Sequence, residues 1–195
     1  MTDYELTRRD AMVALGASGL ALGAGTLTWH QLTDDADTEG FTERQRATLL
    51  ALARTVYPAA VTNVEPFVEQ YVVGKASERP AYATGMADAL DELEEYAQTW
   101  EGTSFTDLDG ETRDELLGEF SIDTAAPDSE GRPEERVRYY LVNELQFALY
   151  TSPTGGKLVG LENPQGHPGG TGTYQRPPEK GQSVENGDGA DENES

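Results

Sequence analysis

Between Thr42 and Tyr150, apolar residues recur three or four positions apart, the spacing of one helix face. No stretch alternates apolar with polar long enough to make a half-buried strand. The pattern predicts an all-α domain of about five helices. The first begins at Thr42, where Gln45 completes a capping box; it turns Leu49, Leu50, Ala53, Val56 and Tyr57 inward and stops at Pro58. A shorter one runs from about Pro66, with Phe67, Val68, Tyr71 and Val72 facing inward and Gly74 near its end. The third starts at Pro80 and carries one apolar stripe from Tyr82 through Met86, Leu90 and Leu93 to Trp100. Its acids Asp88, Asp91, Glu92, Glu94 and Glu95 take the other face. Asp109 is the N-cap expected for a fourth helix bearing Leu116, Leu117 and Phe120. The last opens at Pro133, where Glu134 and Glu135 suit the positive helix end, and gathers Val137, Tyr140, Leu141, Leu145, Ala148 and Leu149.

Both ends of the chain break this pattern. Thr7-Arg8-Arg9-Asp10 runs into a weakly apolar segment rich in Ala and Gly. A hydroxyl residue, paired arginines and a diluted apolar core read as a twin-arginine export signal. Residues 11–29 carry no charge and show no polar face, which favours a targeting segment over a first helix of the domain. At 1.5 Å per residue they reach ~28 Å, just short of a bilayer core, so retention as an anchor is open alongside cleavage. The expected organisation is therefore a signal or anchor over 1–29, a polar linker over 30–40 and a helical domain over 41–150. An irregular Gly/Pro-rich segment follows over 151–178, and a disordered acidic tail over 179–195.

Composition narrows the function. Asp and Glu total 36 against 14 Lys and Arg, for a net charge of −22, with lysine only at positions 75, 157 and 180. The acids spread over every segment, which suits a surface solvated in molar salt, where the Debye length is ~3 Å. Phosphate contacts need basic patches that this chain lacks, so nucleic acid is excluded as a partner. With no cysteine there is no disulfide, thiolate cluster or covalent haem, and His30 and His167 are too few for a histidine-rich metal site.

Candidate catalytic groups do not assemble. Asp91 and Glu95 lie one turn apart on the expected solvated face, and His167 sits in a Gly/Pro loop with no positioned partner. Gly155-Gly156-Lys157 follows a helix, not a strand, and lacks the Gly-Lys-Ser/Thr of a phosphate loop. No catalytic, cofactor-binding or metal-binding residue is assigned. The last helix is unusually aromatic, however. Tyr140 fits its core stripe, while Tyr139, Phe147 and Tyr150 spread over other faces as interface anchors or as packing for the tail.

The order of the arginine pair, then Leu49-Leu50-Ala51-Leu52-Ala53-Arg54-Thr55-Val56-Tyr57-Pro58, then Val64-Glu65-Pro66-Phe67-Val68, resembles the small subunit (subunit 3, or gamma) of gluconate 2-dehydrogenase. Tyr150-Thr151-Ser152-Pro153, followed by Gly155-Gly156 and by Gly160, Pro164 and Gly166, is similar to that family's C-terminal part. Ala59-Ala60-Val61 departs from it, and the last twenty or so residues look like an extension of this chain alone. The resemblance implies a non-catalytic subunit of an exported, membrane-associated sugar or polyol dehydrogenase, at the outer face of the cytoplasmic membrane or outside the cell. FAD would reside in a large flavoprotein of the glucose-methanol-choline type, and haem c in a cytochrome subunit. The small subunit would bring the flavoprotein to the twin-arginine translocase. Arg8 and Arg9 are the export residues; Tyr139, Phe147, Tyr150, Pro153, Gly155, Gly156, Leu158 and Tyr174 are the expected partner contacts. The alternative is a stand-alone exported helical domain held at the membrane by an uncut signal.

Overall fold

The computed structural model describes residues 4–19 and 41–160. The expected anchor core beyond Gly19, the linker, His167, Tyr174 and the acidic tail lie outside the described residues. The elements in chain order are β1 (Tyr4–Glu5), α1 (Arg8–Ala17), α2 (Glu43–Val56), β2 (Val61–Thr62), α3 (Val64–Glu78), α4 (Pro80–Trp100) and α5 (Gly110–Glu119). They are followed by α6 (Pro133–Val137), a π-helical turn over Arg138–Val142, α7 (Asn143–Thr151) and α8 (Pro153–Leu158). The all-α expectation holds, with the five expected helices matching α2, α3, α4, α5 and the composite α6–α7.

Local chemistry sets most boundaries. Thr42 and Gln45 form the capping box that opens α2, and Tyr57 is forced extended by Pro58, closing it. Arg79 precedes Pro80 and leaves the helical region, so α3 and α4 are separate helices with one residue between them. The Asp109 carboxylate accepts from the Thr112 amide and starts α5. That bond holds its carboxyl below the usual carboxylate range. α3 begins at Val64, ahead of Pro66, because Asn63 takes the left-handed conformation (φ 60°) and turns the chain into it.

Three expectations change. On α2 the buried side is Gln45, Thr48, Leu49 and Leu52, while Leu50 and Val56 are only half-buried, a rotation that follows from α2 packing on α3 and α4 together. Trp100 is 65% exposed, because α4 outruns the helices that cover its stripe and ends against Tyr96 instead. Glu94 is buried, not solvated: its carboxylate accepts from the Phe105 amide (3.2 Å) and the Ser104 hydroxyl (2.7 Å), capping the 3-10 turn Phe105–Asp107.

The larger correction concerns the ends. The helical body is not confined to 41–150. α1 packs against α3 and α7, burying Ala11, Ala14 and Leu15, and β1 pairs in parallel with β2, placing Tyr4 opposite Val61. From Ala11 onward α1 shows no polar face in sequence because its outer positions there are Gly16, Ala17 and half-buried Met12 and Val13; its charges, Arg8 and Arg9, sit in the exposed first turn. Residues 153–158 are likewise not irregular. Ser152 caps α8 by accepting from the Gly155 amide, and Pro153 sits in its first turn.

Candidate functional site

The expected partner contacts divide into two groups. Tyr139, Phe147 and Tyr150 lie on the solvent side of α6–α7, at 38%, 39% and 44% exposure. The opposite side buries Val137, Leu141, Leu145, Ala148 and Leu149. The π turn matters here. The Asn143 amide bonds the Arg138 carbonyl, so the wider turn absorbs one residue. Tyr139 and Phe147, eight apart in sequence, therefore sit as residues about seven apart do in a regular helix, roughly two turns along one side. Tyr150 follows one turn later. The result is an aromatic stripe of three exposed rings along one side of α6–α7.

The glycines belong to the interior. Gly155 and Gly156 are buried, and a Cβ on Gly155 would run into the Leu149 carbonyl at the end of α7. Gly155 allows the close approach of α8 to α7. Pro153 and Leu158 are half-buried, with Leu158 packed on the core. Tyr174 is outside the described residues.

A second constellation went unread in the sequence. Glu144 of α7 is buried and gathers three donors from two other helices. Lys75 of α3 approaches its Oε2 at 2.5 Å, the Tyr82 hydroxyl of α4 donates to the same oxygen at 2.6 Å, and the Tyr71 hydroxyl of α3 donates to Oε1. The Lys75 ammonium also lies 4.5 Å from the centre of the Tyr82 ring. Tyr57 donates to the Leu145 carbonyl beside it (2.9 Å). Burial, and then the Glu144 charge, push the Tyr57, Tyr71 and Tyr82 phenols up. The signal in the sequence was an acid set among apolar positions 141, 142, 145 and 148, combined with one of only three lysines. The depression beside Lys75, lined by Phe41, Tyr71, Lys75, Tyr82 and Met86, has no room for a water molecule. The cluster pins three helices together and supports the stripe, because Tyr82 packs at a tilt against Tyr140 (5.1 Å between centres), which meets Tyr139 edge-on at 4.8 Å.

Arg8 and Arg9 occupy the exposed first turn of α1. Thr7 and Asp10 form the capping box behind them, and the second oxygen of buried Asp10 accepts from the Thr154 amide at the start of α8 (2.7 Å). Neither Asp10 nor Thr154 was among the expected site residues; the three-residue spacing of a capping box, Thr7 to Asp10, was the available sign. Among the described residues no group of carboxylates and histidines could hold a metal, and no helix is long and apolar enough to cross a membrane.

Comparison with known proteins gives one finding. The family model for gluconate 2-dehydrogenase subunit 3 matches residues 43–169, well over half of the chain. Nothing among curated proteins or solved structures matches.

Proposed function

The chain belongs to the gluconate 2-dehydrogenase subunit 3 family, and on that premise we propose that it is the escort subunit of an exported flavoprotein dehydrogenase. The family is a subunit of a multi-subunit gluconate dehydrogenase complex, which makes a dehydrogenase the natural partner. In this reading the chain grips a large FAD-containing subunit of the glucose-methanol-choline type. It carries that subunit, folded, through the twin-arginine translocase to the outer face of the membrane, where a cytochrome c takes the electrons. The flavoprotein oxidises the sugar or polyol; this chain supplies grip and address.

The observation that carries the reading is the aromatic stripe of Tyr139, Phe147 and Tyr150. Aromatic rings exposed in a row on an otherwise acidic surface cost hydration unless something covers them, and such residues dominate the energy of interfaces. A second feature supports the address. Two arginines in the first turn of α1 oppose the positive end of its dipole, where acids are favoured by ~0.3–1 kcal/mol each.

The test is co-purification from native membranes at high salt, followed by a flavin absorbance scan. The triple variant Tyr139→Ala, Phe147→Ala, Tyr150→Ala should stay folded, with Tyr139 costing about 0.5–1.5 kcal/mol for its ring contacts, yet lose the flavin-bearing partner. Deleting the gene should leave the flavoprotein in the cytoplasm. Unchanged flavin recovery with the triple variant and unchanged export after deletion would remove the proposal in favour of a stand-alone domain.

A further inference from the structure

The arginine-bearing segment makes bonds that a disposable leader has no reason to make. Tyr4 and Leu6 donate their amides to the Ala60 and Thr62 carbonyls (3.1 Å each), and the Asn63 side-chain amide donates to the Leu6 carbonyl (2.7 Å). Leu6 itself is fully buried. On α3, Gly74 leaves a notch into which Leu15 fits; a Cβ at that glycine would stand 2.7 Å from the Leu15 Cδ1. At the far end the Arg79 guanidinium donates to the Ser18 carbonyl (3.0 Å). Asp10 holds the buried Thr154 amide, and the Thr154 hydroxyl donates to the Glu5 carbonyl (3.3 Å). These contacts reach β2, α3 and α8, elements separated from the segment by as many as 149 residues. The family match begins only at residue 43, so the segment's place comes from this structure and not from the family.

We infer that residues 4–18 remain covalently part of the working protein as one wall of its core, so that the twin-arginine segment is a permanent structural element and not a cleaved leader. Removal would take the acceptor from the Thr154 amide, open the Gly74 notch and bare the apolar side of α3 and α7. The arginines stay exposed in the docked position, so address and wall occupy different sides of one short helix. The inference builds on the export reading above, and the two fail separately.

The test starts with intact mass, under denaturing conditions, of the chain purified from the cell surface. A mass corresponding to a start at or before Tyr4 supports the inference; a start anywhere after Tyr4 overturns it. Thermal melting of the full-length protein in high salt gives a second readout. Asp10→Ala should lower Tm by ~3–10 °C. Gly74→Leu should lower it too, whereas on a helix with no segment docked the same change raises Tm by relieving a mid-helix glycine. Unchanged Tm for Asp10→Ala together with a raised Tm for Gly74→Leu overturns the inference. Arg8→Lys with Arg9→Lys judges the export reading alone, by location of the protein. Should the wild-type chain stay in the cytoplasm, that reading falls, and the melting experiments still decide whether the segment is a wall.

Discussion

Two buried carboxylates hold this molecule in different ways. Glu144 lies among long helices and is matched with a full charge, Lys75, plus two phenols. Asp10 lies where α1 meets α8 and is held by neutral donors, the Thr7 amide, the Thr7 hydroxyl and the Thr154 amide. A carboxylate buried in a core needs every lone pair occupied, and either solution meets that need. What differs is the consequence of failure. Removing a cation from Glu144 strands a charge in the interior. Removing Asp10 strands only neutral donors, one hydroxyl and two amides at helix starts.

Four changes sharpen or break that contrast, beginning with the largest. Lys75→Met should destabilise the fold by about 3–5 kcal/mol, measured by denaturant unfolding in high salt. Adding Glu144→Leu should recover most of that loss, since replacing both charges removes the stranded one. A double variant no better than the single would mean that the two groups are not a functional pair. Asp10→Ala should cost less, about 1–3 kcal/mol, the penalty of buried donors without an acceptor. Equal losses at the two sites would abolish the distinction.

The alkaline limb separates the sites again. Tyr71 is held protonated in the folded protein by burial and by Glu144, so its pKa is raised relative to the unfolded chain. Its contribution is complete below about pH 10, where a free phenol titrates, and is lost as pH rises beyond it. The slope approaches ~1.4 kcal/mol per pH unit for such a group, and Tyr71→Phe should flatten the limb by that amount. No phenol hydroxyl touches Asp10 among the described contacts, so Asp10→Ala should leave the alkaline slope unchanged. The smallest effect belongs to Tyr57→Phe, which loses one neutral bond to the Leu145 carbonyl and about 0.5–1.5 kcal/mol.

Much of the fold was readable along the chain. The capping box at Thr42 and Gln45, the start at Pro80 and the cap at Asp109 depend on residues within one turn of each other, and all three stand in the structure. The aromatic stripe was half readable. Its residues could be named, but their alignment on one side depends on a π turn that no periodicity announced. Gly155 and Gly156 were legible as unusual, yet both are buried, and Gly155 meets the Leu149 carbonyl, because a glycine marks a close approach without saying to what. Trp100 was assigned inward because helical spacing continues past the point where neighbouring helices stop covering it.

Helix class, most helix limits and family membership are properties of short stretches, and the sequence by itself determined them, because caps, prolines and apolar spacing act over a few residues. The partners that reach Glu144 and Asp10 across the fold are brought from 62 to 144 residues away. Whether the arginine segment stands apart or closes the core is the same kind of question. Only the packed chain decides such matters, since a charge or a small apolar helix has no preference between water and a distant surface until that surface exists.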